Sequence, residues 1–70
     1  MTQWAVGYIS FIDNDMSIEI TFGETWIDAL NAHSKVHNSG HMEDLPTDID
    51  EAKQEFFNQD AMFDVKEITT

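Results

Sequence analysis

The chain reads as an α+β domain, a small two-layer arrangement of order β-β-α-α-β. A three-stranded antiparallel sheet carries two helices on one face, in a single domain spanning residues 1–70. Three observations predict it. A strand-type run, a turn cluster and a cleanly alternating run stand together at the start. Two apolar stripes of helical spacing follow, each opened by capping residues. A weakly alternating segment closes the chain. Two layers are the smallest arrangement that buries both stripes against a sheet. With 41% hydrophobic residues, including five Phe and two Trp, a folded core is expected despite the charge. At 70 residues that core is near the lower limit of what holds without staples.

Gln3 to Phe11 has the Trp, Val, Tyr, Ile and Phe composition of a strand. Either Trp4, Val6 and Tyr8 or Ala5, Gly7, Ile9 and Phe11 can face inward, which predicts that some aromatic surface stays exposed. Asp13-Asn14-Asp15 is a turn cluster whose short side chains tolerate positive φ. Met16 to Phe22 alternates, with Ile18, Ile20 and Phe22 on one face and Ser17, Glu19 and Thr21 on the other. This is a half-buried strand completing a hairpin, its apolar set expected inward. Thr25 with Asp28 reads as a capping box opening a helix to about His37. Its stripe is Trp26, Leu30, His33 and Val36 or His37, and Asn38-Ser39-Gly40 stops it. Thr47 with Asp50, or Asp48 with Glu51, caps a second helix whose buried stripe is Ile49, Ala52 and Phe56, with Phe57 a further candidate for it. Met62 to Ile68 closes the sheet.

Charge is the strongest functional signal. Fourteen Asp and Glu stand against three Lys, a formal charge of −11, beyond the magnitude of roughly 2 to 8 that keeps a small domain dispersed. Such an excess destabilises the compact state by self-repulsion, and a positively charged partner accounts for its retention. Direct nucleic-acid binding is disfavoured, because phosphate contacts need Lys or Arg, and anionic membranes are disfavoured on the same ground. Asp48, Glu51 and Glu55 share one helical face, and residues four apart rise about 6 Å along the axis. Carboxylates at that spacing roughly imitate a run of phosphates. The expected partner surface centres on Asp44, Asp48, Glu51 and Glu55, with Glu43, Asp50 and Asp60 at its margin. Phe56 and Phe57 are adjacent on a helix and cannot both point inward. Phe57, or Trp4 at an edge, is therefore a secondary candidate as an apolar interface anchor.

His33, His37 and His41 recur every four residues, with Glu43 or Asp44 near enough in sequence to add an oxygen ligand. The Asn38-Ser39-Gly40 stop precedes His41, and His near a helix C-terminus is favourable on dipole grounds alone. No metal and no cofactor is assigned. There is no cysteine, so thiolate sites and disulfides are excluded. No nucleophile elbow, phosphate loop or calcium loop is present, and no enzyme activity is expected. Without a basic leader or long apolar run, a cytoplasmic location is expected.

A tiny, cysteine-free, strongly acidic chain with a hairpin, short helices and a closing strand resembles the small early proteins that bacteriophages use against host enzymes. Acidic restriction inhibitors, uracil-glycosylase inhibitors and several anti-CRISPR proteins share this charge and size. Asn14-Asp15-Met16-Ser17 and Glu19-Ile20-Thr21 are similar to the hairpin of a phage antitoxin that neutralises a host RNA-degrading toxin. The resemblance implies a non-catalytic inhibitor or modulator acting in the host cytoplasm on a positively charged host protein that handles nucleic acid. A nuclease, a CRISPR effector or a polymerase fits that description, met in part by nucleic-acid mimicry. The alternatives are an antitoxin-like interaction module with an aromatic hot spot and a histidine-based metal-binding protein. A homodimer through an edge strand or an apolar aromatic patch is compatible with each.

Overall fold

The computed structural model describes residues 2–38 and 45–68. Strands β1 (Thr2–Ser10) and β2 (Asp15–Gly23) form the hairpin, and β3 (Ala61–Ile68) closes the sheet. All pairings are antiparallel, in the order β2-β1-β3, so β1 is central. Helix α1 (Trp26–Ala32), a short α2 (Ser34–His37) and α3 (Ile49–Asn58) pack on one face. The expected α+β architecture is therefore the observed one, with one change. The first helical region is two helices, broken at His33, whose ψ of 124° is extended. His33 caps both pieces: its backbone N–H donates to the Leu30 carbonyl, and its Nδ1 accepts from the Lys35 N–H.

Local chemistry explains the remaining boundaries. Thr25 caps α1, its hydroxyl accepting from the Asp28 N–H at 3.3 Å, and Asp48 caps α3 by accepting from the Asp50 N–H at 2.8 Å. The hairpin turn carries Asn14 at φ 53°, and α3 ends into β3 through Asp60 at φ 62°. Both are short polar residues of the kind that visit the left-handed region. The Asp60 carbonyl then accepts from the Phe11 N–H at 2.8 Å, tying the two turns together.

The core lies between the helices and one face of β1 and β3. Val6 and Tyr8 of β1 meet Ala61, Phe63 and Val65 of β3, and Ala29, Leu30, Val36, Ala52 and Phe56 cover them. Phe56 is the keystone, edge-on to Phe63 at 4.7 Å and to Tyr8 at 6.4 Å, while Trp26 stacks on Phe63. The ambiguity in β1 thus resolves in favour of Trp4, Val6 and Tyr8.

Strand β2 is the reverse of the expectation. Ser17, Glu19 and Thr21 face the helices, whereas Met16, Ile18, Ile20 and Phe22 are 52–74% exposed on the opposite face. Hydrogen bonds cause the inversion. Thr21 Oγ1 donates to the Ala29 carbonyl at 2.8 Å. Glu19 accepts from both the N–H and the hydroxyl of Ser34, each at 2.9 Å, and Ser17 Oγ lies 3.2 Å from His33 Nε2. The α1–α2 layer sits on β2 through polar seams, and the apolar set of β2 is left uncovered.

Candidate binding surfaces

Helix α3 puts its acidic residues on two flanks. At 100° per residue, Glu51 and Glu55 lie with Asp48 on one side of the buried stripe formed by Ile49, Ala52 and Phe56. Asp50 lies on the other, beside Phe57. Asp48, Asp50, Glu51, Glu55 and Asp60 are all exposed, and none forms an ion pair among the described residues. Two of them also hold the backbone, Asp48 as a cap and Asp60 in its left-handed turn. Glu43 and Asp44 lie outside the described residues.

The lysines do not dilute this flank. Lys35 bonds the Asp15 carboxylate, and Lys53 reaches Asp64 at 3.1 Å. The Lys35 hydrogen bond holds Asp15 below the usual carboxylate range, and Asp15 in turn raises Lys35. At Asp64, burial pushes upward, but the hydrogen bond from Lys53 and its charge lower the carboxyl overall. Both ion pairs belong to the strands' carboxylates, leaving those of Asp48, Glu51 and Glu55 uncompensated.

One of the predicted side chains needs correction. Trp4 is not at an edge: it sits on the central strand, packs partly buried against the core, and donates Nε1–H to the Gly23 carbonyl at 3.0 Å. It is a structural residue, held there by the hairpin register. Phe57 fits the expectation of an exposed aromatic at 59%, lining a shallow cleft with Asp50, Lys53, Gln54 and Met62.

The described histidines, His33 and His37, do not converge. His33 is fully buried, its Nδ1 accepting from Lys35 N–H, so the ring proton resides on Nε2 and is donated to Ser17 Oγ. The backbone break at His33 and the ring's burial against Tyr8 turn it inward, whereas His37 is exposed. His41 lies outside the described residues, and no metal-holding group of His, Cys, Asp and Glu occurs among the described ones. The two-histidine face expected of a continuous helix is therefore not formed. Likewise, no described helix is long and apolar enough to cross a membrane.

The surface that sequence reasoning missed is the sheet face away from the helices. Its cross-strand rows are Met16-Ile9-Met62, Ile18-Gly7-Asp64, Ile20-Ala5-Lys66 and Phe22-Gln3-Ile68. The missing side chain at Gly7 leaves a slot over β1, walled by Met16 and Ile18 on one side and by Met62 and Asp64 on the other. The signal was present in the alternation of β2, which marks an apolar face without saying which face a helix will cover. No family model, curated protein or solved structure matches the chain.

Proposed function

We propose that the protein is a non-catalytic inhibitor or modulator that binds a positively charged protein which handles nucleic acid. The observation that carries this reading is the uncompensated carboxylate flank of α3, Asp48, Glu51 and Glu55, on a chain of net charge −11. Every residue of that flank points to solvent, and the nearest lysine on the helix, Lys53, is turned toward Asp64. A Lys- and Arg-lined groove that normally holds phosphates offers the complementary surface. Association is then steered by charge and slows as salt rises. The test is affinity capture from lysate at low and moderate salt, comparing wild type with the Glu51→Lys/Glu55→Lys double variant. A nucleic-acid-handling protein retained by wild type and lost by the variant supports the proposal; capture unchanged by the double reversal removes it.

The exposed ring of Phe57 favours a second reading, an interaction module in which charge steers and an aromatic anchor holds. Binding of that kind survives high salt and fails on Phe57→Ala. Trp4 is partly buried and donates to the Gly23 carbonyl, so this reading rests on Phe57.

A further inference from the structure

We infer that the helix-free face of the sheet is a self-association surface, on which a second copy of this chain docks sheet to sheet. Three observations converge on a second copy as the occupant.

The first is shape. On β2, Met16, Ile18, Ile20 and Phe22 form a ridge, and beside it the row of β1 carries the small residues Ala5 and Gly7, with a slot open over Gly7. A two-fold axis running parallel to the strands, between β1 and β2, drops the ridge of each copy into the slot of the other. Ridge and slot adjoin on one surface, so the surface is complementary to itself, as an isologous interface requires. Sheets packed this way lie about 10 Å apart, with strands offset by roughly 30°.

The second is area. Met16, Ile18, Ile20 and Phe22 are each 52–74% exposed. At roughly 200 Å² per large side chain they present on the order of 500 Å². That lies in the upper part of the roughly 300–600 Å² range of the largest apolar patch on an ordinary monomer, and Ala5, Ile9 and, at the rim, Met62 extend it toward the roughly 800 Å² per partner of a stable interface.

The third is where the charge is not. The β1 and β2 parts of this face, Gln3, Ala5, Gly7, Ile9, Met16, Ile18, Ile20 and Phe22, carry no ionisable side chain. Asp64 and Lys66 sit on β3, which that axis leaves at the rim; Asp64 borders the slot there, its charge met by Lys53 at 3.1 Å. The α3 carboxylates lie in the outer layer, so the two acidic flanks end up on opposite outsides of the dimer. They are then separated by more than the Debye length of about 8 Å at physiological salt, and their repulsion is largely screened.

This inference stands apart from the acidic reading and predicts the opposite response to salt: dimerisation strengthens as salt screens the repulsion, whereas a charge-steered partner is lost. The experiment is sedimentation equilibrium of the full chain across a concentration series at low and moderate salt, on wild type, Ile18→Glu and Gly7→Lys. Ile18 is exposed, and a Cβ at Gly7 meets Ile18 Cγ1 at an ordinary 3.9 Å, so both variants preserve the fold, as circular dichroism verifies. A wild-type dimer that tightens with salt, and whose Kd rises at least about tenfold in both folded variants, supports the inference. A wild type that is monomeric throughout, a dimer that loosens with salt, or a dimer indifferent to both substitutions overturns it.

Discussion

Gly23 shows how one residue sets a layer. A Cβ there would lie 2.7 Å from the Asp28 Cβ and 2.9 Å from the Ala29 N, so the helix approaches the strand only because nothing is in the way. The obstacle is helix backbone and the root of a side chain, neither of which can swing aside. Gly23→Ala should destabilise by about 1–3 kcal/mol, the usual cost of overpacking, read as a lower denaturant midpoint with unchanged slope. Glu19 supplies a second residue-scale test. The Ser34 backbone N–H and then the Ser34 hydroxyl, outweighing desolvation, lower its carboxyl below the ordinary 4.5. A carboxyl lowered by folding contributes stability above its unfolded value, lost as pH falls through the folded one. Below about pH 4.5, wild type should therefore lose stability more steeply than Glu19→Gln, compared by urea unfolding at several pH values. Parallel pH profiles for the two proteins would dissociate Glu19 from the α2–β2 seam.

At the scale of elements, the caps are the most legible part of the molecule. Thr25 and Asp48 each satisfy a helix N-terminal N–H, as the sequence spacing predicts, and replacing either by Ala should cost about 1 kcal/mol. Asp60 makes the complementary case: at φ 62° it should accept Gly without loss, while Ala there costs roughly 1–2 kcal/mol, both read from thermal unfolding. Caps are readable because they depend on three or four neighbouring residues. The facing of β2 was not readable, because it depends on partners 8 to 16 residues away. Alternation of Ile18, Ile20 and Phe22 correctly announces a strand, but burial is decided by where α1 and α2 land. They land on the polar side because Thr21, Ser17 and Glu19 offer hydrogen-bond partners there to Ala29, His33 and Ser34. The helix break follows the same logic. His33 fits the apolar stripe, yet its imidazole serves as a cap to Lys35 and a donor to Ser17, which a continuous helix would forbid. The acidic flank of α3 was legible, since it needed only helical spacing, whereas Trp4 was misplaced because the strand order that puts β1 at the centre is a tertiary fact.

For the whole molecule, charge and stability oppose each other, and that opposition separates a functional acidic surface from an incidental one. Lysines neutralise Asp15 and Asp64, while the α3 flank keeps its full repulsion. Glu55 is the informative position. It lies in the second half of a helix of 10 residues, toward the end where a carboxylate opposes the dipole and a cation favours it. It also stands four residues after Glu51, so Glu55→Lys converts a like-charge pair into the favourable Glu-to-Lys orientation. Both effects act in one direction, and the exposed side chain has no core packing to lose. Glu55→Lys should therefore raise stability by about 0.5 kcal/mol at low ionic strength, the gain shrinking as salt is added. Under the proposed function the same substitution weakens partner capture. On that proposal, a carboxylate kept where lysine is more stable trades stability for contact. Chemical denaturation paired with capture resolves the two quantities on one variant. Higher stability with lost capture identifies Glu55 as part of the contact, and higher stability with undiminished capture would assign the α3 flank to solvent alone.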